Sequence, residues 1–397
     1  MTTTKYQHFS LFDGQHARLQ RDASFVVDDT TGRLIPASGV PTTTVDLKGK
    51  YVMPGLINAH THIMMNPITN KLDYLSETEV TYTALNNLAE LLRAGVTYIR
   101  DCGCAFDVDL KLVKLRAAGA AFPSPEICAS GRPMTITGGH GDFTEGQRGE
   151  TTWGHLTDSP DAMRHAVRYA FKYGAKNIKV MATGGVMSAT DQVDDTELSL
   201  EELRVAVQEA HSKHMTIAAH AEGADGIHLA ILAGVDSVEH GTFIRDEDVA
   251  LMVERGIYLT PTLIAGYSIP TYGQGKLPQY MIDKGAAALD VLFKRVAVAL
   301  KGGVKIALGT DAGTPFNRFK DTPKELELLT QIGATNYQAL FASTLNSARL
   351  LRIDQDYGTL VTGKFADFLV LDADPTADVK AVQQADKGVY QHGVKVY

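Results

Sequence analysis

The chain has 397 residues, 44% hydrophobic and 21% charged, which is ordinary globular usage with enough apolar material for a large core; this excludes intrinsic disorder. Acidic residues outnumber basic ones 46 to 38, a net charge of −8, which argues against nucleic acid or an anionic membrane as main partner and fits a small neutral or cationic ligand better. The start, MTTTKYQHFSLF, lacks the apolar centre of a signal peptide, and no window approaches the roughly 18 apolar residues of a membrane span, so a soluble, cytoplasmic protein is expected.

Near the N-terminus, SFVVDDTTGRLIP reads as a hairpin turning at DDTTG, and TTTVDLKGKYV as further strand. From about residue 52 to 350, short β-branched or apolar runs then alternate with longer amphipathic segments, the βα rhythm. Eight runs can be counted: YVMPGLINAHTH, GVTYIRDCG, PEICASG, NIKVMATGG, MTIAAHA, DSVEHG, IYLTPTL and VKIALGTDAG. Eight βα units predict a closed parallel barrel. Between two of them, SLEELRVAVQEAHSKH predicts a helix that starts with a capping box, Ser199 as N-cap and Glu202 three residues on. The tail pieces GKFADFLVLDAD and GVYQHGVKVY are strand-like again. The expected fold is therefore α/β, a (β/α)8 TIM barrel over residues 55–354 with a small β domain formed by both chain ends, residues 1–54 plus 355–397. Cys102, Cys104 and Cys128 are too few and too odd in number for a disulfide framework, and CGC reads as two small buried thiols.

In such a barrel chemistry belongs at the C-terminal ends of the strands. His60 and His62 in GLINAHTH share a strand face, since positions i and i+2 point the same way. His220 ends the fifth run, His240 the sixth and Asp311 the eighth, so all would project into one mouth. Four convergent imidazoles are hard to rationalise without a cation, although a lone histidine is usually satisfied by a core hydrogen bond and Asp311 could cap a helix. Lys179 lies inside the fourth run, where an ammonium is costly to bury. Two readings of it stay open: a carbamate formed with carbon dioxide that bridges two divalent metals, or a salt bridge to Asp101 or Glu239.

In the motifs PGLINAHTH, IKVMATGGVMS, IAAHAEG, SVEHGT, PTL, LGTDAG and GKFADFLVLDADP, spread over nearly the whole chain, the sequence resembles the amidohydrolase superfamily. It is most similar to the branch of imidazolonepropionase-related and prolidase-like (Xaa-Pro, Xaa-Arg type) metallo-dipeptidases. The resemblance implies that the small domain of both chain ends is a β-sandwich, and it implies two divalent ions, expected to be zinc, with His60, His62 and Asp311 holding the more buried one, His220 and His240 the other, and a carboxylated Lys179 bridging them. Asn58 stands where the family more often has the leading Asp of its first motif, a position not usually a ligand.

The implied reaction is hydrolysis of an amide C–N bond of a dipeptide or N-acyl amino acid, with a metal-bridging hydroxide as nucleophile and Asp311 as proton shuttle. His140, in the long segment RPMTITGGHGDFTEGQRGETTWGHL, is similar to a family position that binds substrate or polarises its carbonyl, and Tyr267 is a second candidate for substrate binding. His228 is read as solvent-facing, and a homo-oligomer is the expected assembly. The rival reading is a mononuclear deaminase or cyclic-amide hydrolase, favoured by Glu222 in HAE and opposed by Lys179; a non-catalytic scaffold is opposed by the completeness of the ligand set.

Overall fold

Strands covered on both faces must be apolar throughout, and Leu56–Thr61, Asn177–Met181 and Thr216–Ala221 are buried at every position. In the computed structural model, which describes residues 2–37, 39–68, 76–143 and 153–397, these strands lie at the centre of the larger part of the chain. Leu56–Thr61 pairs in parallel with Val96–Asp101, and that strand with Glu126–Cys128. Asn177–Met181 pairs in the same sense with Thr216–Ala221, which is followed by Ser237–His240 and Tyr258–Thr260.

Backbone hydrogen bonds join these two groups into a ring. On one side Lys176 N–H donates to the Ala129 carbonyl at 3.0 Å. On the other, the eighth run bridges the gap: Leu259 N–H donates to Lys305 O at 3.0 Å, Ala59 N–H to Leu308 O at 2.7 Å, and Asp311 N–H to His60 O at 2.8 Å. The result is the eight-stranded barrel of the βα rhythm.

Its helices begin as their sequences dictate. Ser199 caps Leu200–His211 through a capping box with Glu202, and the same device recurs at Ser76 with Glu79 and at Thr335 with Gln338.

The two chain ends share one eight-stranded sheet. Its junction is Tyr51–Pro54, which pairs in parallel with Thr3–Leu11 and antiparallel with Phe368–Leu371. The predicted hairpin joins Gln20–Asp28 to Arg33–Ile35, with Gly32 at φ 69° making the turn. The sheet encloses its own apolar core, in which Tyr6, Phe9, Val52 and Phe368 are buried and the Phe368 and Tyr390 rings stack at 4.2 Å.

The run YVMPGLINAHTH, read as one barrel strand, is two strands broken at Gly55. Gly55 donates its N–H to the Asp367 carbonyl, and a side chain there would strike Thr97. Close approach of the sheet to the barrel thus requires glycine at the joint. Among the described residues no helix is long and apolar enough to cross a membrane.

Candidate metal centre

His60, His62, Lys179, His220, His240 and Asp311 all line one cavity. Its position follows from the barrel, because each of these residues lies at or near the C-terminal end of a strand or in the last residues before its loop. His240 at φ 67° and Asp311 at φ 57° are in the left-handed region, which costs non-glycine residues about 1–3 kcal/mol each and is tolerated where surrounding structure holds it.

Every imidazole has one nitrogen anchored, and the anchor decides which nitrogen faces the cavity. His60 Nδ1 meets Glu239 Oε2 at 2.6 Å, His62 Nδ1 donates to Gly103 O at 3.1 Å, and His240 Nδ1 meets Thr262 Oγ1 at 2.6 Å. Their Nε2 atoms are left with lone pairs. His220 is reversed: Nε2 donates to Gly184 O at 3.0 Å and Nδ1 is the free nitrogen. Burial holds His62, His220 and His240 below the usual imidazole range, so these rings are neutral ligands in waiting.

His60 Nε2 and His62 Nε2 lie 3.3 and 3.2 Å from the same atom, Asp311 Oδ1. Two nitrogen lone pairs and an anionic oxygen converging this closely need a positive charge among them. A divalent cation fits that donor set.

Lys179 is 1% exposed, and its Nζ is 3.4 Å from His60 Nε2. The salt bridge to Asp101 or Glu239 is not formed, because both acids are otherwise engaged. Glu239 binds Arg100 Nη2 at 2.7 Å, and Asp101 accepts the N–H groups of Ile63 at 2.8 Å and Gly103 at 3.1 Å. Among the described residues Lys179 has no ion-pair partner. A lysine so placed is unusual, because a buried charge is costly without a counter-charge.

Glu239 and Arg100 form a fully buried pair beneath the site. Burial opposes ionisation of Glu239, yet Arg100 and then His60 hold its carboxyl far below the ordinary value of 4.5. Glu239→Gln will leave the guanidinium unpaired, and chemical denaturation at neutral pH should show a loss of about 3–5 kcal/mol. Because the folded pKa is depressed, this contribution is present above pH 4.5 and disappears as pH falls below it, so the variant should have the flatter acid limb. An unchanged limb would remove Glu239 from the account. Cys102 lies beside His60 and Glu239, and burial pushes its thiol up to about 12.

His140 also reaches the cavity, its ring stacked on His220 at 4.4 Å. Its Nδ1 meets Asp191 Oδ2 at 3.1 Å and its backbone N–H donates to Glu197 Oε1 at 2.7 Å. Burial lowers the imidazole, but Asp191, with Glu197 and Glu222, outweighs it and raises His140 above its usual range. Gly185 has to be glycine, since a side chain there would strike the His140 ring. Sequence reasoning missed Asp191 and Glu197; the acid-rich DQVDDTEL after the fourth strand was the available signal. It also missed Glu325, whose carboxylate accepts the Leu263 and Ile264 N–H groups at 2.8 Å each and fixes the helix start beside Thr262, the partner of His240.

Glu222 lines the cavity and accepts from Thr242 Oγ1 at 2.7 Å, burial pushing it up to about 7. Tyr267 is not brought to the cavity. The helix Leu263–Tyr272 presents Ala265, Gly266 and Ile269 to it and turns Tyr267 away, against Tyr272 and beneath Lys324. His228 is half-buried rather than solvent-facing, with Nδ1 2.6 Å from Asp248. Of the long segment around His140, residues 144–152 lie outside the described residues; beyond them, buried Trp153 stands edge-on to His62 at 5.5 Å.

Comparison with known proteins agrees with this geometry. The chain is 31% identical over 379 residues to ochratoxinase of Aspergillus niger, covering 88% of this chain and 76% of the relative. A Xaa-Pro dipeptidase with methionine bound in its active site superposes with a TM-score of 0.90 at 28% identity over 99% of both chains. A prolidase complexed with N-methylphosphonate-L-proline gives 0.89 at 26% identity, over 100% of this chain and 99% of that one. A sequence profile of the amidohydrolase family matches residues 51–394, and with a match of that extent the chain belongs to the amidohydrolase family.

Proposed function

We propose that this amidohydrolase is a binuclear metal-dependent enzyme that cleaves the amide C–N bond of a dipeptide or N-acyl amino acid. The observation that carries the reading is Lys179, a buried amine without a counter-ion beside four imidazoles that each keep one free nitrogen. His60, His62 and Asp311 would hold one ion, His220 and His240 the second. Lys179 would bridge: its neutral ε-amine adds to carbon dioxide and loses one proton, giving an anionic carbamate. The nitrogen and oxygen donors suit zinc. Two such ions supply Lewis acidity toward a carbonyl and acidify water.

The chain's own groups do the rest. Asp311 takes the proton of the water that adds to the amide carbon and delivers it to the departing nitrogen as the C–N bond breaks, leaving a carboxylic acid and an amine. His140, its Nδ1 fixed by Asp191, is positioned to donate from Nε2 to a substrate oxygen. The names of the relatives, an ochratoxinase and two Xaa-Pro dipeptidase or prolidase proteins, support peptide-like amides as the substrate class.

The direct test is amine release from dipeptide and N-acyl amino-acid libraries by zinc-loaded protein. Turnover of at least one such amide is expected; turnover confined to cyclic amides or amino-purines would instead favour a mononuclear enzyme, the second reading, which Glu222 supports as an acid near neutrality in the cavity.

A further inference from the structure

Besides the six candidate ligands, the cavity has an apolar lining. The helix Gln279–Lys301 lays Gly285, Ala288, Leu289 and Leu292 along it, positions i, i+3, i+4 and i+7, so a single apolar helix face looks into the site. The facing helix Leu263–Tyr272 adds Ala265 and Ile269. The two pack closely through glycine, since a Cβ at Gly266 would sit 2.7 Å from Leu292 Cδ2. The wall is completed by Val186 and Met187, carried on the loop beside His140. That loop is tied to the same helix: Lys284 Nζ donates to Gly185 O at 3.1 Å and Ser188 O at 2.9 Å, and Tyr280 Oη donates to Met187 O at 3.1 Å.

Among the described residues none on this wall is charged. An apolar face turned toward an open cavity is costly to hydrate and is what an apolar ligand group would cover. We infer that this wall is the side-chain pocket for the released amino acid, that it selects a large apolar side chain such as those of leucine, methionine or phenylalanine, and that Ala288 and Leu289 set its size. The pocket and His140 adjoin through the loop after Gly185, so the carboxylate of that residue would meet His140 while its side chain lies on the wall. The inference rests on the amide-hydrolase reading and adds the substrate class.

The test is kcat/KM of the zinc-loaded full chain on N-acetyl-leucine, -methionine, -phenylalanine, -alanine, -lysine and -aspartate. It is paired with calorimetric binding of free leucine, alanine, lysine and aspartate to the same protein. Leucine should exceed lysine and aspartate about 100-fold or more, and Ala288→Leu should lower the leucine-to-alanine ratio about tenfold or more, whereas Leu289→Ala should raise the ratio of phenylalanine to leucine. Lysine or aspartate equal to leucine, or ratios unmoved in both variants, would overturn the assignment while leaving the hydrolase intact. If no N-acyl amino acid is cleaved but leucine still binds in preference to lysine, with the same loss in Ala288→Leu, the pocket stands and the hydrolase reading fails.

Discussion

A Lys179→Met protein, loaded with zinc in the presence of bicarbonate, should lose about 1,000-fold or more of kcat/KM toward any amide the wild-type enzyme cleaves. Its metal-free form should unfold no more easily than metal-free wild type. The two halves of this expectation come from the same observation. Lys179 is buried without an ion-pair partner, so in the absence of metal its ammonium destabilises the fold, and an apolar chain of similar length relieves that cost. With metal the order should reverse, because binding only to the folded state stabilises by RT ln(1 + [L]/Kd), and the variant lacks the proposed bridging ligand. Thermal unfolding with and without zinc reads both. A variant markedly less stable than wild type when both are metal-free would make Lys179 a structural residue.

The second large effect is expected at Asp311. Asp311→Asn keeps size and shape but removes the charge on which His60 and His62 converge, and with it the group proposed to accept and return the proton. Loss of a positioned acid–base group typically costs 100- to 10,000-fold, so kcat should fall by about 1,000-fold, with a smaller change in KM. Full activity at full metal content would exclude Asp311 from proton transfer.

Much of this geometry could be read from the chain, for reasons that differ residue by residue. His60 and His62 are legible because a strand repeats every two residues, and His220, His240 and Asp311 because each closes an apolar run whose end must lie at the barrel mouth. Lys179 is legible because a lysine in such a run is anomalous. What the residue pattern does not contain is how elements face one another. Tyr267 sits on a helix whose rotation is set by packing against Gln279–Lys301, which brings Gly266 to Leu292 and leaves the tyrosine outside. Which acid pairs with which base is equally hidden, since Arg100 claims Glu239 across strands far apart in sequence and leaves Lys179 alone. The split at Gly55 escaped for a related reason: two consecutive apolar strands look like one until the tail strand Phe368–Leu371 is seen to pair with only the first of them.

A two-metal centre built on Lys179 is met most directly by metal per chain, measured by elemental mass spectrometry on wild-type and Lys179→Met protein prepared with added zinc and bicarbonate. Close to two per chain in the wild type, falling in the variant, is the predicted result. One per chain in both proteins would contradict it.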